Sequence, residues 1–94
     1  MKNYLIQRNV PGAGKFSAAE RKALAQRSCE VLEELGPQIE WQHSYITNDN
    51  LWCIYNAENE ELVREHARRG DFPANFIFEI HSVISPATAE LVVK

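Results

Sequence analysis

The stretch from Trp41 to Tyr55 constrains the fold of this chain more than any other part of its sequence. It reads WQHSYITNDNLWCIY, two runs of apolar and aromatic residues on either side of Asn48-Asp49-Asn50. Asn and Asp tolerate left-handed backbone conformations and hydrogen-bond their own main chain, so they are typical of turns. The stretch therefore predicts a β-hairpin.

The length of the hairpin loop decides which side chains share a face, because strand side chains alternate between faces. We expect a three-residue loop, which places Tyr45 opposite Cys53. The same register places His43 opposite Tyr55, so that one face carries an imidazole, a thiol and two phenols. A loop of two or four residues would break this grouping. On the expected register the reverse face carries Ile46, Trp52 and Ile54.

The first third of the chain predicts a strand followed by a helix. Residues Lys2 to Arg8 are rich in strand-forming side chains, and Pro11 and two glycines follow them. Ser17-Ala18-Ala19-Glu20 is a capping box, which begins a helix. That helix is expected to end at Leu35, before Gly36-Pro37. One stripe along this helix consists of Leu24, Ser28, Val31, Leu32 and Leu35.

After the hairpin the sequence predicts a second helix and a last strand. The helix starts in the acidic stretch 56–61 and ends near Arg69, before Gly70. Its inward face carries Leu62, Val63, His66 and Ala67. Asn75 to Ile84 is the last predicted strand. The tail 87–94 is apolar enough that we expect it to pack against something, such as a partner subunit.

The order strand, helix, strand, strand, helix, strand is typical of the ferredoxin-like α+β fold, a four-stranded antiparallel sheet with both helices on one face. We expect residues 1–94 to form a single domain of this kind. The other face would be bare in a monomer, and Trp41, Tyr45, Leu51 and Tyr55 make a large apolar patch for it. A homodimer that packs these faces together around a shared cavity, a dimeric α/β barrel, is the simplest solution.

Composition excludes several classes of function. The net charge is −3 and the charged residues are interspersed, which argues against nucleic-acid binding. The chain has no long apolar run for a membrane and no signal peptide, so we expect a cytoplasmic protein with reduced cysteines.

Three segments resemble a family of small bacterial ferredoxin-like proteins, some described as nickel-binding and others of unknown function. They are SYITNDNLWCIY (44–55), EHARRGDFPA (65–74) and ISPAT (84–88). The resemblance implies a homodimeric α/β barrel and, for some members, bound nickel. Family members often carry Asp at the position of Ser85 and a basic residue near His81, where this chain departs from the pattern.

Imidazole and thiolate ligands suit nickel, zinc or copper, and a carboxylate completes such a site. The candidate metal ligands are His43, Cys53, Glu79 and His81, which come from different strands and meet only if the fold brings them together. Tyr45, Tyr55 and His66 are candidates for holding a small aromatic ligand in the sheet cavity. The resemblance, with these side chains as compatible support, implies a nickel-binding homodimer that acts as a sensor, buffer or carrier.

Two alternatives remain open at this stage. The first is a small cofactor-independent oxygenase or isomerase, with His66 or His43 as base and Tyr45 and Tyr55 orienting the substrate. The sequence contains no complete catalytic set, so we expect a protein that is not an enzyme. The second alternative is a dimeric structural or regulatory module, in which replacing His43, Cys53 or His66 affects stability alone.

Overall fold

The computed structural model describes residues 1–93, so that Lys94, the last residue of the predicted tail, lies outside the described part. The strands and helices are β1 (Lys2–Asn9), α1 (Ala18–Leu35), β2 (Ile39–Ile46), β3 (Asn50–Ala57), α2 (Glu60–Gly70) and β4 (Phe76–Ile80). Two short 3-10 turns cover Ala13–Lys15 and Pro86–Glu90. Among the described residues, no helix is long and apolar enough to cross a membrane.

The four strands form one antiparallel sheet in the order β2-β3-β1-β4. This is the strand order of a ferredoxin-like domain, so the predicted fold class is confirmed. The core lies between the helices and one side of the sheet, which we call the helix-facing side. It contains Tyr4 and Ile6 of β1, Val31 of α1 and Val63 of α2, all at most 5% exposed.

The ends of the two helices follow the sequence signals. The Ser17 hydroxyl accepts a hydrogen bond from the Glu20 amide, and the Glu20 carboxylate accepts one from the Ser17 amide, which confirms the capping box. The second helix begins later than predicted. Strand β3 continues to Ala57, and the Asn59 side chain caps α2 by accepting from the Leu62 amide.

The predicted register of the hairpin is wrong by one residue. Ser44 pairs with Cys53, Tyr45 with Trp52 and Ile46 with Leu51, which leaves a two-residue loop, Asn48-Asp49. The Thr47 amide donates to the Asn50 carbonyl at 2.9 Å and closes the hairpin there. The Gly12–Gly14 loop holds this tight turn in place. The Gly12 amide donates to the Asp49 carboxylate, and a Cβ on Gly14 would lie 3.0 Å from the Asn48 Cα.

A second expectation, that His43 lies opposite Tyr55, is wrong because a β-bulge lies between Trp41 and His43. Trp41 pairs with Tyr55, and His43, which we expected opposite Tyr55, pairs with Ile54. Trp41, Leu51 and Tyr55 therefore lie on the helix-facing side, and of the predicted apolar patch only Tyr45 lies on the other side. That other side, which we call the open face, carries His43, Tyr45, Trp52 and Ile54 of the hairpin together with Leu5, Phe76 and Phe78.

Strand β4 is shorter than predicted and ends at Ile80 instead of Ile84. Ile80 pairs with Asn3, and β1 begins only one residue earlier at Lys2, so residues beyond 81 have no partner strand. The segment that follows carries five strongly exposed apolar side chains, between 67% and 89% exposed: Val83, Ile84, Leu91, Val92 and Val93.

Candidate functional site

The fold separates two of the four predicted metal ligands. His43 lies exposed on the open face, whereas Cys53 is 3% exposed on the helix-facing side. The sheet stands between them, so they do not share a site within one chain. Cys53 packs in the apolar core next to Ile6, as a buried thiol commonly does.

The other two predicted ligands lie together at the end of β4. Nδ1 of His81 is 3.5 Å from a carboxylate oxygen of Glu79, and both side chains are exposed. The other Glu79 oxygen is 3.8 Å from Nζ of Lys2. Residues 1–93 contain no group of three or more His, Cys, Asp or Glu side chains placed to hold a metal ion. One chain thus supplies a carboxylate and an imidazole, but not a complete coordination sphere.

Tyr55 and His66, two of the three residues expected to hold a small ligand, meet beneath the helices. Their ring centroids are 5.0 Å apart and both side chains are buried. Tyr45 lies on the open face instead, where its ring contacts His43 with centroids 5.1 Å apart. Burial raises the pKa of the Tyr55 hydroxyl, so that it stays protonated at neutral pH.

The inward orientation predicted for His66 is confirmed. Its Nε2 lies 3.0 Å from the Ser28 hydroxyl on α1, while its Nδ1 is buried without a hydrogen-bond partner. Burial, assisted by the positive charge of Arg8, lowers the pKa of His66 to about 4. The imidazole is therefore neutral at physiological pH.

Phe72 covers this buried group at the end of α2. Its ring stacks on His66 with centroids 5.3 Å apart and lies 5.4 Å and 4.6 Å from the guanidinium groups of Arg8 and Arg27. A Cβ on Gly70 would lie 2.1 Å from a ring atom of Phe72. A side chain at position 70 would therefore displace the Phe72 ring from its stack on His66.

A cavity of about 130 Å³ lies between α1 and the helix-facing side of the hairpin. Its walls include Ala25, Ser28, Trp41, Tyr55, Phe72 and Arg8. The sequence predicts Arg8 in the first strand and gives it no role. The signal was present in the alternation of β1, because Tyr4, Ile6 and Arg8 share one face and the first two are core residues.

The strand order, the two helices and the single covered side define the class of this protein, a ferredoxin-like α+β domain. The chain belongs to the SCO4226-like family of nickel-responsive proteins, whose sequence model matches residues 4–80. The fold is similar to the crystal structure of SCO4226 from Streptomyces coelicolor A3(2), with a TM-score of 0.73 and 13% sequence identity. That match covers 87% of this chain and 99% of the other. No curated protein matches the chain.

Proposed function

We propose that this protein binds nickel as a homodimer and acts as a nickel sensor, buffer or carrier. The observation that carries the proposal is the contact between Glu79 and His81, found in a chain that belongs to a nickel-responsive family. Imidazole and carboxylate are both suitable nickel ligands, and both groups are accessible. Zinc and copper accept the same ligands and are the metals to compare.

The site needs more ligands than one chain brings together. Nickel takes about four to six ligands, and the Glu79–His81 pair contributes one carboxylate and one imidazole. Water and a second copy of the chain supply the others. His43 lies on the open face, whereas Glu79 pairs with the core residue Tyr4 and lies on the helix-facing side of β4, so His43 is not assigned to this site. Cys53 is not part of this site, because it is buried in the core next to Ile6.

The open face supports a second copy as the partner. Tyr45, Phe76 and Phe78 are 52% to 61% exposed there, next to the half-buried Leu5 and Trp52. Contiguous apolar surface of this kind is typical of an interface. The open face of an identical chain is equally apolar, so two chains related by a two-fold axis would cover each other's open faces.

Calorimetric titration of untagged, metal-free protein with nickel tests the ligands. We expect Glu79→Gln and His81→Ala each to weaken nickel binding at least about tenfold, since even outer-shell changes commonly cost that much. Glu58→Gln, an exposed carboxylate elsewhere, and Cys53→Ser should bind like the unmodified chain. Unchanged affinity in both Glu79→Gln and His81→Ala would remove the pair from the site.

A further inference from the structure

Arg8 is a buried cation without an anionic partner. Its side chain is among the largest that are fully buried, and the residue is 2% exposed. Nη1 donates a hydrogen bond to the Pro73 carbonyl at 2.7 Å, whereas Nη2 is buried and has no partner. Within residues 1–93, none of the ion pairs involves Arg8. A buried charge is costly unless it is paired, so this guanidinium is suited to an anion from outside the chain.

The space for such an anion adjoins Arg8. The residue lines both the cavity of about 130 Å³ and a neighbouring hollow of about 370 Å³, and Leu24, Leu51 and Phe72 line both as well. An apolar cavity of roughly 150 Å³ holds one benzene ring. The smaller space therefore fits a single ring or a branched chain of similar size.

The charges around the two spaces favour a negative ligand. Arg21 lines the first and Arg27 the second. Glu20 is the one acidic side chain among the residues that line the second space, and its carboxylate already accepts a hydrogen bond from the Ser17 amide. The walls are otherwise largely apolar, with the hydroxyls of Ser28, Ser44 and Tyr55 as polar groups in the first space.

We propose that this Arg8 cavity binds a small monocarboxylate with an apolar body, of the size of an aromatic acid with one ring. The carboxylate would accept hydrogen bonds from the guanidinium, and the ring would contact the apolar walls. One negative charge neutralises the one buried positive charge. A phosphate dianion would add a second negative charge, and it has no apolar group to contact the apolar walls. Neither Glu79 nor His81 lines either space, so the ligand is distinct from the nickel proposed above.

Benzoate is the probe, and titration of metal-free protein in EDTA, followed by amide chemical shifts, is the measurement. We expect saturable benzoate binding with shifts at residues around Arg8 and Phe72. Benzyl alcohol, which keeps the ring but not the charge, and inorganic phosphate should each bind at least tenfold more weakly. Equal binding of benzyl alcohol or of phosphate, or no benzoate binding at millimolar concentration, would overturn the proposal.

Two pairs of variants assign the binding to the cavity. Arg8→Met should weaken benzoate binding at least tenfold, whereas Arg68→Met, an exposed arginine on α2, should not change it. Ala25→Leu fills the cavity and keeps Arg8, so it provides the test if Arg8→Met does not fold. It should also lose benzoate, and Ala19→Leu on the exposed side of α1 should retain it. Benzoate binding by Ala25→Leu equal to that of the unmodified chain would contradict the assignment.

Discussion

At the scale of single residues, the buried side of the sheet contains polar groups that an ordinary small core would exclude. Arg8 and His66 are 2% and 1% exposed, and each has one nitrogen without a hydrogen-bond partner. A protonated His66 would place a second positive charge near Arg8. Burial and that repulsion both keep the imidazole neutral, which is why the pKa of His66 falls to about 4.

This low pKa predicts a loss of stability in mild acid. The unfolded chain protonates His66 near its ordinary pKa of 6.5, whereas the folded chain does so only at about 4. Between these values the unfolded state binds the additional proton, so the free energy of unfolding decreases as the pH falls, by up to about 1.4 kcal/mol per pH unit. Above pH 6.5 the effect is absent.

Urea unfolding at about pH 7.5 and about pH 5 measures this effect, at one fixed protein concentration. Between these two pH values we expect the free energy of unfolding of the unmodified chain to fall by about 2 kcal/mol more than that of His66→Gln, which removes the titrating group. His43→Gln, which changes an exposed histidine, should lose as much as the unmodified chain. Equal losses in the unmodified chain and in His66→Gln would show that His66 does not carry the effect.

The sequence was sufficient to place His66 but not the residues of the hairpin. Helical periodicity aims His66 inward whatever the exact helix ends are. In a strand, one residue of slip reverses every side chain, so the sides assigned to Cys53 and Tyr55 depended on the loop length. The two-residue turn is hydrogen-bonded to the Gly12–Gly14 loop, which is distant in sequence, so the hairpin sequence alone does not show these contacts.

At the scale of elements, the helices were predictable because their signals are local. The capping box of α1 and its end at Leu35 depend on neighbouring residues alone. The boundary between β3 and α2 was not predictable, since the acidic stretch 56–61 suits a helix start while Asn56 and Ala57 pair with β1 and β2. The end of β4 was also not predictable from its own sequence, because it depends on where β1 begins.

The observed hairpin register predicts which engineered cysteine pairs with Cys53. Thr47 and Asn50 form a hydrogen-bonded pair, and such pairs alternate with non-hydrogen-bonded ones, so Ser44 and Cys53 form a non-hydrogen-bonded pair with Cα atoms about 4.5 Å apart. That separation lies within the range of disulfides. Ser44→Cys is therefore expected to form a disulfide with Cys53.

Thiol counting after mild oxidation and denaturation checks this prediction, in a Cys29→Ser background that removes the exposed thiol. Ser44→Cys should lose both of its thiols without forming a covalent dimer. Tyr45→Cys, whose new thiol lies on the open face, should retain both. A disulfide in Tyr45→Cys and none in Ser44→Cys would contradict the two-residue loop and indicate the three-residue loop instead.

At the scale of the whole molecule, the described chain leaves apolar surface on two parts. One is the open face, and the other is the segment after β4, where five apolar side chains are strongly exposed. The Cα radius of gyration is 14.9 Å, whereas a compact domain of this length has about 12 Å. The second copy proposed above would cover this surface, and it would supply ligands that the Glu79–His81 pair lacks for the proposed nickel site.

We propose that nickel binds to a site completed by two copies of the chain. Native mass spectrometry of untagged protein titrated with nickel tests it directly, because it counts metal separately on monomer and dimer. We expect nickel on the dimer and none on the monomer, and we expect Phe78→Glu, which places a charge on the open face, to reduce both dimer and bound nickel. Protein that binds no nickel, or monomer that binds it as fully as the dimer, would contradict the claim.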